Sequence, residues 1–280
     1  PKPPNEAVRS YMPGTMETES LKAEIQRLES DQIEIPCIIG GKEVRSGNLG
    51  VCIEPHNHAR QLATYHKAGA TEVAKAISAA LKAKPAWESL SPVERAPIFL
   101  KAADLLAGKY RDRINAATML NQSKNVYQAE IDAACELADF WRFNAYFMQR
   151  IHKEQPVYSP PGMLNYTEYR ALEGFVFAVS PFNFSSIGGN LAGAPAIMGN
   201  TVVWKPASTA VYSAYVIMEV LQEAGLPDGV INLVPGSGAE VGDPVLASEW
   251  FAGIHFTGST DVFRSMWSTI GNGIAGYRTY

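Results

Sequence analysis

Asn183 stands between two phenylalanines in the turn Ser180-Pro181-Phe182-Asn183-Phe184, just after the apolar run Phe175–Ser180. A side-chain amide at a strand exit can donate a hydrogen bond to an oxygen that turns negative when a carbonyl is attacked, an effect of about 2.7–4 kcal/mol in acyl-transfer sites. A turn asparagine that satisfies its own loop is the plainer reading of the same residue. Lys205 follows a second apolar run, Thr201–Trp204, and precedes Pro206. An ammonium there cannot stay buried without a partner, so it faces a crevice, where ribose hydroxyls or a phosphate suit it. Taken alone it also reads as a surface lysine at a strand exit. Ser259 lies in Thr257-Gly258-Ser259-Thr260-Asp261-Val262, after the run Gly253–Phe256. It opens a helix whose free N–H groups would suit a pyrophosphate oxygen, or it is an ordinary N-cap. Gly236 and Gly238, after the run Val230–Val234, form a truncated glycine loop and carry little weight.

These residues need a frame. The four apolar runs lack polar alternation and are separated by helix-length segments, Tyr212–Ala224 being the plainest. That pattern predicts an α/β protein whose parallel sheet is covered by helices on both faces. Ligands of such sheets bind at the carboxyl ends of the strands, where the polar and glycine residues fall.

Upstream, Thr18 starts a surface helix with Leu21, Ile25 and Leu28 on one stripe. Ile33–Ile39 with Gly40-Gly41-Lys42 reads as one hairpin, and Gly50–Ile53 with Gln61–Tyr65 as a second. From Thr71-Glu72 the period becomes helical through Val73, Ile77 and Leu81. Ser91-Pro92-Val93-Glu94 is a strong helix start, running through Phe99, Ala103 and Leu106 to about Gly108. Tyr110–Gln122 and a long, mostly apolar Val126–Met148 follow; the latter should be buried in the domain or against a partner subunit. Tyr158–Ala171 reads as an extended hairpin leaving the domain.

The remaining candidates are quieter. Glu130 and Asp132 read as charges complementing a helix start. His56 and His58 share a turn without metal-ligand spacing, so no metal is expected. The cysteines, Cys37, Cys52 and Cys135, are odd in number and read as reduced thiols. Net charge is −4, which gives no general attraction for nucleic acid or an anionic membrane. No run approaches the roughly 18 apolar residues of a membrane span.

The order S-P-F-N-F, W-K-P, P-G-S-G, F-T-G-S resembles the cofactor domain of the aldehyde dehydrogenase superfamily. Ile98–Asp104, Gln128–Ala134, Arg142–Ala145, Leu172–Phe175 and Gly188–Pro195 narrow the resemblance to the branch acting on L-glutamate γ-semialdehyde. It covers the chain from about Glu34 onward. The resemblance implies a Rossmann-like NAD domain at 34–157 and 172–280, an N-terminal extension at 1–33 and an oligomerisation hairpin at 158–171. It implies oxidation of a small-molecule aldehyde to an acid by a homodimer or higher homo-oligomer, in the mitochondrial matrix or the bacterial cytoplasm. Asn183 would then be the oxyanion donor. Ser180 and Lys205 would contact NAD, with Lys205 on the adenosine ribose. Gly258, Ser259, Thr260, Asp261 and Val262 would line the pyrophosphate. Phe184 would wall the aldehyde channel and Glu130 would reach its substrate end. Ser208 stands where many members carry a glutamate that would repel a 2′-phosphate, so NAD preference is expected from the branch alone.

In this family a general-base glutamate and a nucleophilic cysteine come after the last strand read here, so the catalytic domain is expected to be absent. Three readings follow: part of a working dehydrogenase, a shortened product that binds a dinucleotide without turnover, or an inactive remnant. The opening Pro1 and the closing Tyr280 underlie the expectation that both ends are incomplete.

Overall fold

Pro36 divides what the sequence presents as a single strand, and the two pieces enter different sheets. The structure is a computed structural model and describes residues 2–279; Pro1 and Tyr280, on which the readings of the two ends turn, lie outside the described residues. After helix α1 (Met16–Ser30) come β1 (Ile33–Ile35), β2 (Cys37–Ile39), β3 (Lys42–Val44), β4 (Leu49–Glu54) and β5 (Asn57–His66). β1 pairs parallel with β5, which pairs antiparallel with β4, making a three-stranded sheet. β2 instead forms a hairpin with β3 across Gly40-Gly41. The expected first hairpin is therefore only Cys37–Val44. Proline supplies no N–H for either ladder, which suits it to the crossing point.

Helices α2 (Ala70–Glu88), α3 (Pro92–Ala107) and α4 (Arg111–Gln122) follow. α2 starts at Gly69 rather than Thr71: Glu72 reaches back to accept from the Gly69 N–H at 3.1 Å. α3 starts as expected, with Glu94 accepting from the Ser91 N–H at 2.7 Å. The long helix α5 comprises Val126–Ala129, a π-helical stretch Glu130–Glu136 and Leu137–Lys153. It is not buried all round: Leu137, Ala138, Trp141, Ala145 and Met148 face inward while Phe147 is 46% exposed.

The second half alternates β6 (Phe175–Val179), α6 (Ser185–Ile197), β7 (Thr201–Lys205), α7 (Val211–Ala224), β8 (Ile231–Leu233), α8 (Gly238–Leu246), β9 (Phe251–Phe256) and α9 (Thr260–Gly273). The sheet order is β3-β2-β8-β7-β6-β9. β8, β7, β6 and β9 are parallel, whereas β2 and β3 add an antiparallel edge, so the sheet is mixed rather than wholly parallel. β9 is the opposite edge.

Each strand feeds two cores because successive side chains point to opposite faces. Phe175, Phe177 and Val179 pack with Val73 and Ala76 of α2 and Val241 of α8. Val176 and Ala178 pack on the other side, with Phe99 of α3, Leu137 and Trp141 of α5, and Leu191 of α6. α6 lies against α5 along a glycine seam. A Cβ at Gly189 would meet Leu137 at 2.6 Å, and one at Gly193 would meet Trp141 at 2.9 Å.

Gly174, with φ +112°, turns the chain into β6; a Cβ there would lie 2.0 Å from the Trp250 carbonyl oxygen. That oxygen accepts from the Phe175 N–H at 3.0 Å. Gly174→Ala is expected to cost at least about 1–3 kcal/mol from backbone strain alone. Denaturant midpoints of the two chains check this, and equal midpoints would refute it.

Residues 158–171 form an excursion without a strand ladder. Its arms are tied by side chains: Gln155 donates to the Thr167 carbonyl at 3.2 Å and accepts from the Thr167 N–H at 2.8 Å. The expected hairpin is thus present in path but not in backbone pairing. Among the described residues no helix is long and apolar enough to cross a membrane.

Candidate functional site

Strand register brings the first three candidates together. Val179, the last residue of β6, is paired with Lys205 on one side and Phe256 on the other. The Ser180 N–H donates to the Lys205 carbonyl at 3.2 Å, and the Thr257 N–H to the Val179 carbonyl at 3.1 Å. The residues just beyond these ends therefore share one rim. They line a groove of about 530 Å³ that includes Ser180, Asn183, Lys205, Gly258, Ser259 and Val262. Val179, Pro181 and Phe256 supply apolar wall.

Lys205 is 8% exposed, and its ammonium donates to the Pro206 carbonyl at 3.1 Å. Burial pushes its pKa below the ordinary lysine value. A largely desolvated ammonium with a single, neutral acceptor among the described residues is poised for further oxygen ligands. The Ser180 hydroxyl accepts from the Trp204 indole N–H at 2.9 Å, which fixes it at the groove floor. Ser259 caps α9, accepting from the Val262 N–H at 3.3 Å. The neighbouring N–H groups at that helix start have no intrahelical acceptor.

Thr260 and Asp261 lie in the first turn of α9 and outside the groove lining. The Asp261 carboxylate is 94% exposed, so any part it plays at the groove comes through its N–H. Gly236 is demanded by packing rather than by a phosphate: a Cβ there would meet Val241 at 2.7 Å and the Ala68 carbonyl at 2.9 Å. Ser237 caps α8 by accepting from the Glu240 N–H at 3.1 Å.

Two further expected site residues lie outside the groove lining. Phe184 lies outside the groove lining, with the Lys124 ammonium 3.9 Å from its ring centroid. Glu130 is fully buried and its carboxylate is occupied: Arg111 forms an ion pair with it, Asn115 donates at 2.8 Å, Tyr11 at 2.9 Å and the Arg9 N–H at 2.8 Å. Burial alone would raise this carboxyl, but these donors outweigh it and hold the pKa below the ordinary range. In this structure Glu130 anchors the N-terminal segment instead of facing open space. Two carboxylates of α5 that border an open groove are Glu136 and Asp139, beside Phe140, Phe143 and Phe147. Sequence reasoning passed Glu136 over because a π-helical stretch shifts which side chains share a face.

Asp132 has the sequence position of a helix-start charge for its own helix, yet it serves another. It accepts from the Ser185 and Ser186 N–H groups at 3.1 and 3.0 Å and from the Ser186 hydroxyl at 2.7 Å, at the start of α6.

The three thiols are buried, and burial pushes each up to about 12. None is a thiolate nucleophile at neutral pH.

The Aldehyde dehydrogenase family model matches residues 45–275. Delta-1-pyrroline-5-carboxylate dehydrogenase of Agaricus bisporus is 51% identical over 277 residues, 99% of this chain and 50% of the relative. The mitochondrial enzyme of that name from Homo sapiens is 45% identical over 276 residues, 99% of this chain and 49% of the relative. The chain thus spans about half the length of the curated relatives it matches. Among solved structures, the Delta-pyrroline-5-carboxylate dehydrogenase from Mycobacterium tuberculosis bound with NAD aligns with a TM-score of 0.98 and 50% identity, over 100% of this chain and 52% of that one. The 1-pyrroline-5-carboxylate dehydrogenase from Thermus with bound NAD gives 0.86 and 29%, over 96% and 52%. The chain belongs to the aldehyde dehydrogenase family.

Proposed function

We propose that this chain is the cofactor-binding part of an enzyme that oxidises L-glutamate γ-semialdehyde, the open form of 1-pyrroline-5-carboxylate, to L-glutamate with NAD. The supporting observation is the in-register meeting of Asn183, Lys205 and the α9 start at one sheet rim.

The groove suits a dinucleotide. Lys205 offers an ammonium with one neutral acceptor, for ribose hydroxyls. The α9 start offers N–H groups for a pyrophosphate. Val179, Pro181, Phe256 and Val262 offer apolar surface for a base. NAD, when bound, takes up the hydride that the aldehyde carbon loses. Asn183 is exposed at the groove mouth, and its amide supplies the N–H donor for a carbonyl oxygen that becomes negative. The buried, protonated thiols at Cys37, Cys52 and Cys135 leave the nucleophile's role to a residue outside these 280. The 280-residue chain alone therefore binds cofactor without turnover. Residues 34–157 and 172–280 form the NAD domain, and the exposed 158–171 excursion joins subunits. The compartment is the mitochondrial matrix for a eukaryotic source and the cytoplasm for a bacterial one.

Isothermal titration of NAD into the 280-residue chain is expected to give saturable binding of one equivalent, with no aldehyde-dependent NADH. A folded sample that releases no heat would reject the cofactor reading.

A further inference from the structure

Helix α6 follows directly on Asn183 and Phe184, so its position sets theirs. It has no cap of its own. Phe184 occupies the N-cap position, and no side chain of that residue can accept from the first N–H groups. The acceptor comes from α5: Asp132, 2% exposed, takes the Ser185 N–H at 3.1 Å, the Ser186 N–H at 3.0 Å and the Ser186 hydroxyl at 2.7 Å. Its Oδ2 also accepts from the Lys124 ammonium at 2.7 Å. The same ammonium lies 3.9 Å from the centroid of the Phe184 ring, within cation–π range. One ion pair therefore grips the chain on both sides of a single peptide unit: Lys124 holds the ring of Phe184, and Asp132 holds the two N–H groups that follow. Asn183 is the next residue back, exposed.

We infer that Asp132 and Lys124 are positioning residues that fix the Asn183 amide at the groove mouth. This rests on Asn183 as the oxyanion donor. Neither residue touches the groove. Their effect passes through the turn, because an amide donor displaced by about 1 Å can lose on the order of 10²-fold in rate.

A double-mutant cycle on the full-length protein tests this, with kcat for aldehyde oxidation, the Kd for NAD and the melting temperature as readouts. Asn183→Ala is expected to lower kcat by about 10²–10³-fold. Asp132→Asn and Lys124→Met are each expected to lower kcat by about 10-fold or more, with the NAD Kd changed less than about 2-fold, since the Lys205 and α9 side of the groove is untouched. On the Asn183→Ala background, Asp132→Asn is expected to lower kcat less than about 2-fold further, because the group it positions is gone. Should Asp132→Asn fail to bind NAD through misfolding, Lys124→Met carries the same cycle. The inference is overturned if Asp132→Asn and Lys124→Met leave kcat unchanged. It is overturned too if either slows the Asn183→Ala enzyme by the same factor as the parent, which marks a general structural role. If Asn183→Ala runs at the parent rate, the oxyanion reading itself fails and this inference goes with it.

Discussion

Arg111→Leu is expected to destabilise the chain by about 3–5 kcal/mol at pH 7, the range for stranding one partner of a buried ion pair. Arg111 is 3% exposed at its side chain and Glu130 is 0%. The guanidinium also donates to Glu6 at 2.8 Å and to the Ala7 carbonyl at 2.6 Å, so its loss releases the N-terminal segment as well. Arg142 holds the other oxygen of Glu6 at 2.6 Å, and Asp139 takes the Glu6 N–H at 2.7 Å, so the segment is weakened rather than freed entirely.

The effect has a definite pH dependence. In the parent chain the Glu130 pKa lies below its ordinary 4.5, so its contribution is complete above 4.5 and is lost as pH falls through the folded value. In the leucine variant the same carboxyl is buried without its cation, so protonation relieves the variant. The stability gap between the two should be widest near neutral pH and narrow as pH falls below 4.5. Denaturant titrations at neutral and acid pH measure it. A gap that stays constant or widens in acid would mean that Glu130 is not the stranded charge.

Lys205→Met separates binding from stability. Losing an ammonium that bonds ribose hydroxyls removes about 1.5–3 kcal/mol of charged hydrogen bonding. That corresponds to a Kd for NAD raised by roughly 10–150-fold. The cofactor-free chain should move the other way. Burial depresses the Lys205 pKa below its ordinary 10.5, with only the Pro206 carbonyl as acceptor among the described residues, so the folded state carries a desolvated charge. The parent should gain stability as pH rises from the depressed value toward 10.5, and the variant should lack that gain. At pH 7 the methionine chain is expected to be more stable by about 0.5–2 kcal/mol. Calorimetric titration and thermal melts read the two halves. A variant that loses stability and keeps its affinity would show that Lys205 serves the core and not the cofactor.

The groove was legible in the sequence because it is built from strand ends. A parallel strand covered on both faces reads as an unbroken apolar run, and the residue after the run must sit at the rim. Register does the rest: Val179 opposite both Lys205 and Phe256 makes three loops neighbours without any long-range information. Glu130 shows where this stops. Its partners Arg111 and Tyr11 lie 19 and 119 residues away, and no local pattern couples them. The π-helical stretch hides Glu136 for a related reason, since a period of 3.6 residues per turn misplaces side chains within it and beyond it. Pro36 was visible as a residue but its consequence was not, because the choice between two sheets is made by β5 and β8. The Tyr158–Ala171 alternation is a strand pattern that finds no ladder among the described residues.

The N-terminal segment also sets an order of events during synthesis. Asn5 donates to Asp139 at 2.7 Å across 134 residues of intervening chain. At ribosomal speeds of about 5–20 residues per second, Asn5 waits roughly 7–27 s for Asp139 to emerge. Glu6 waits for Arg111, 105 residues behind it, and Arg9 for Glu130, 121 residues behind, and a polar, proline-rich segment spends those waits in solvent without harm. An apolar segment of the same length would spend them seeking the wrong surface.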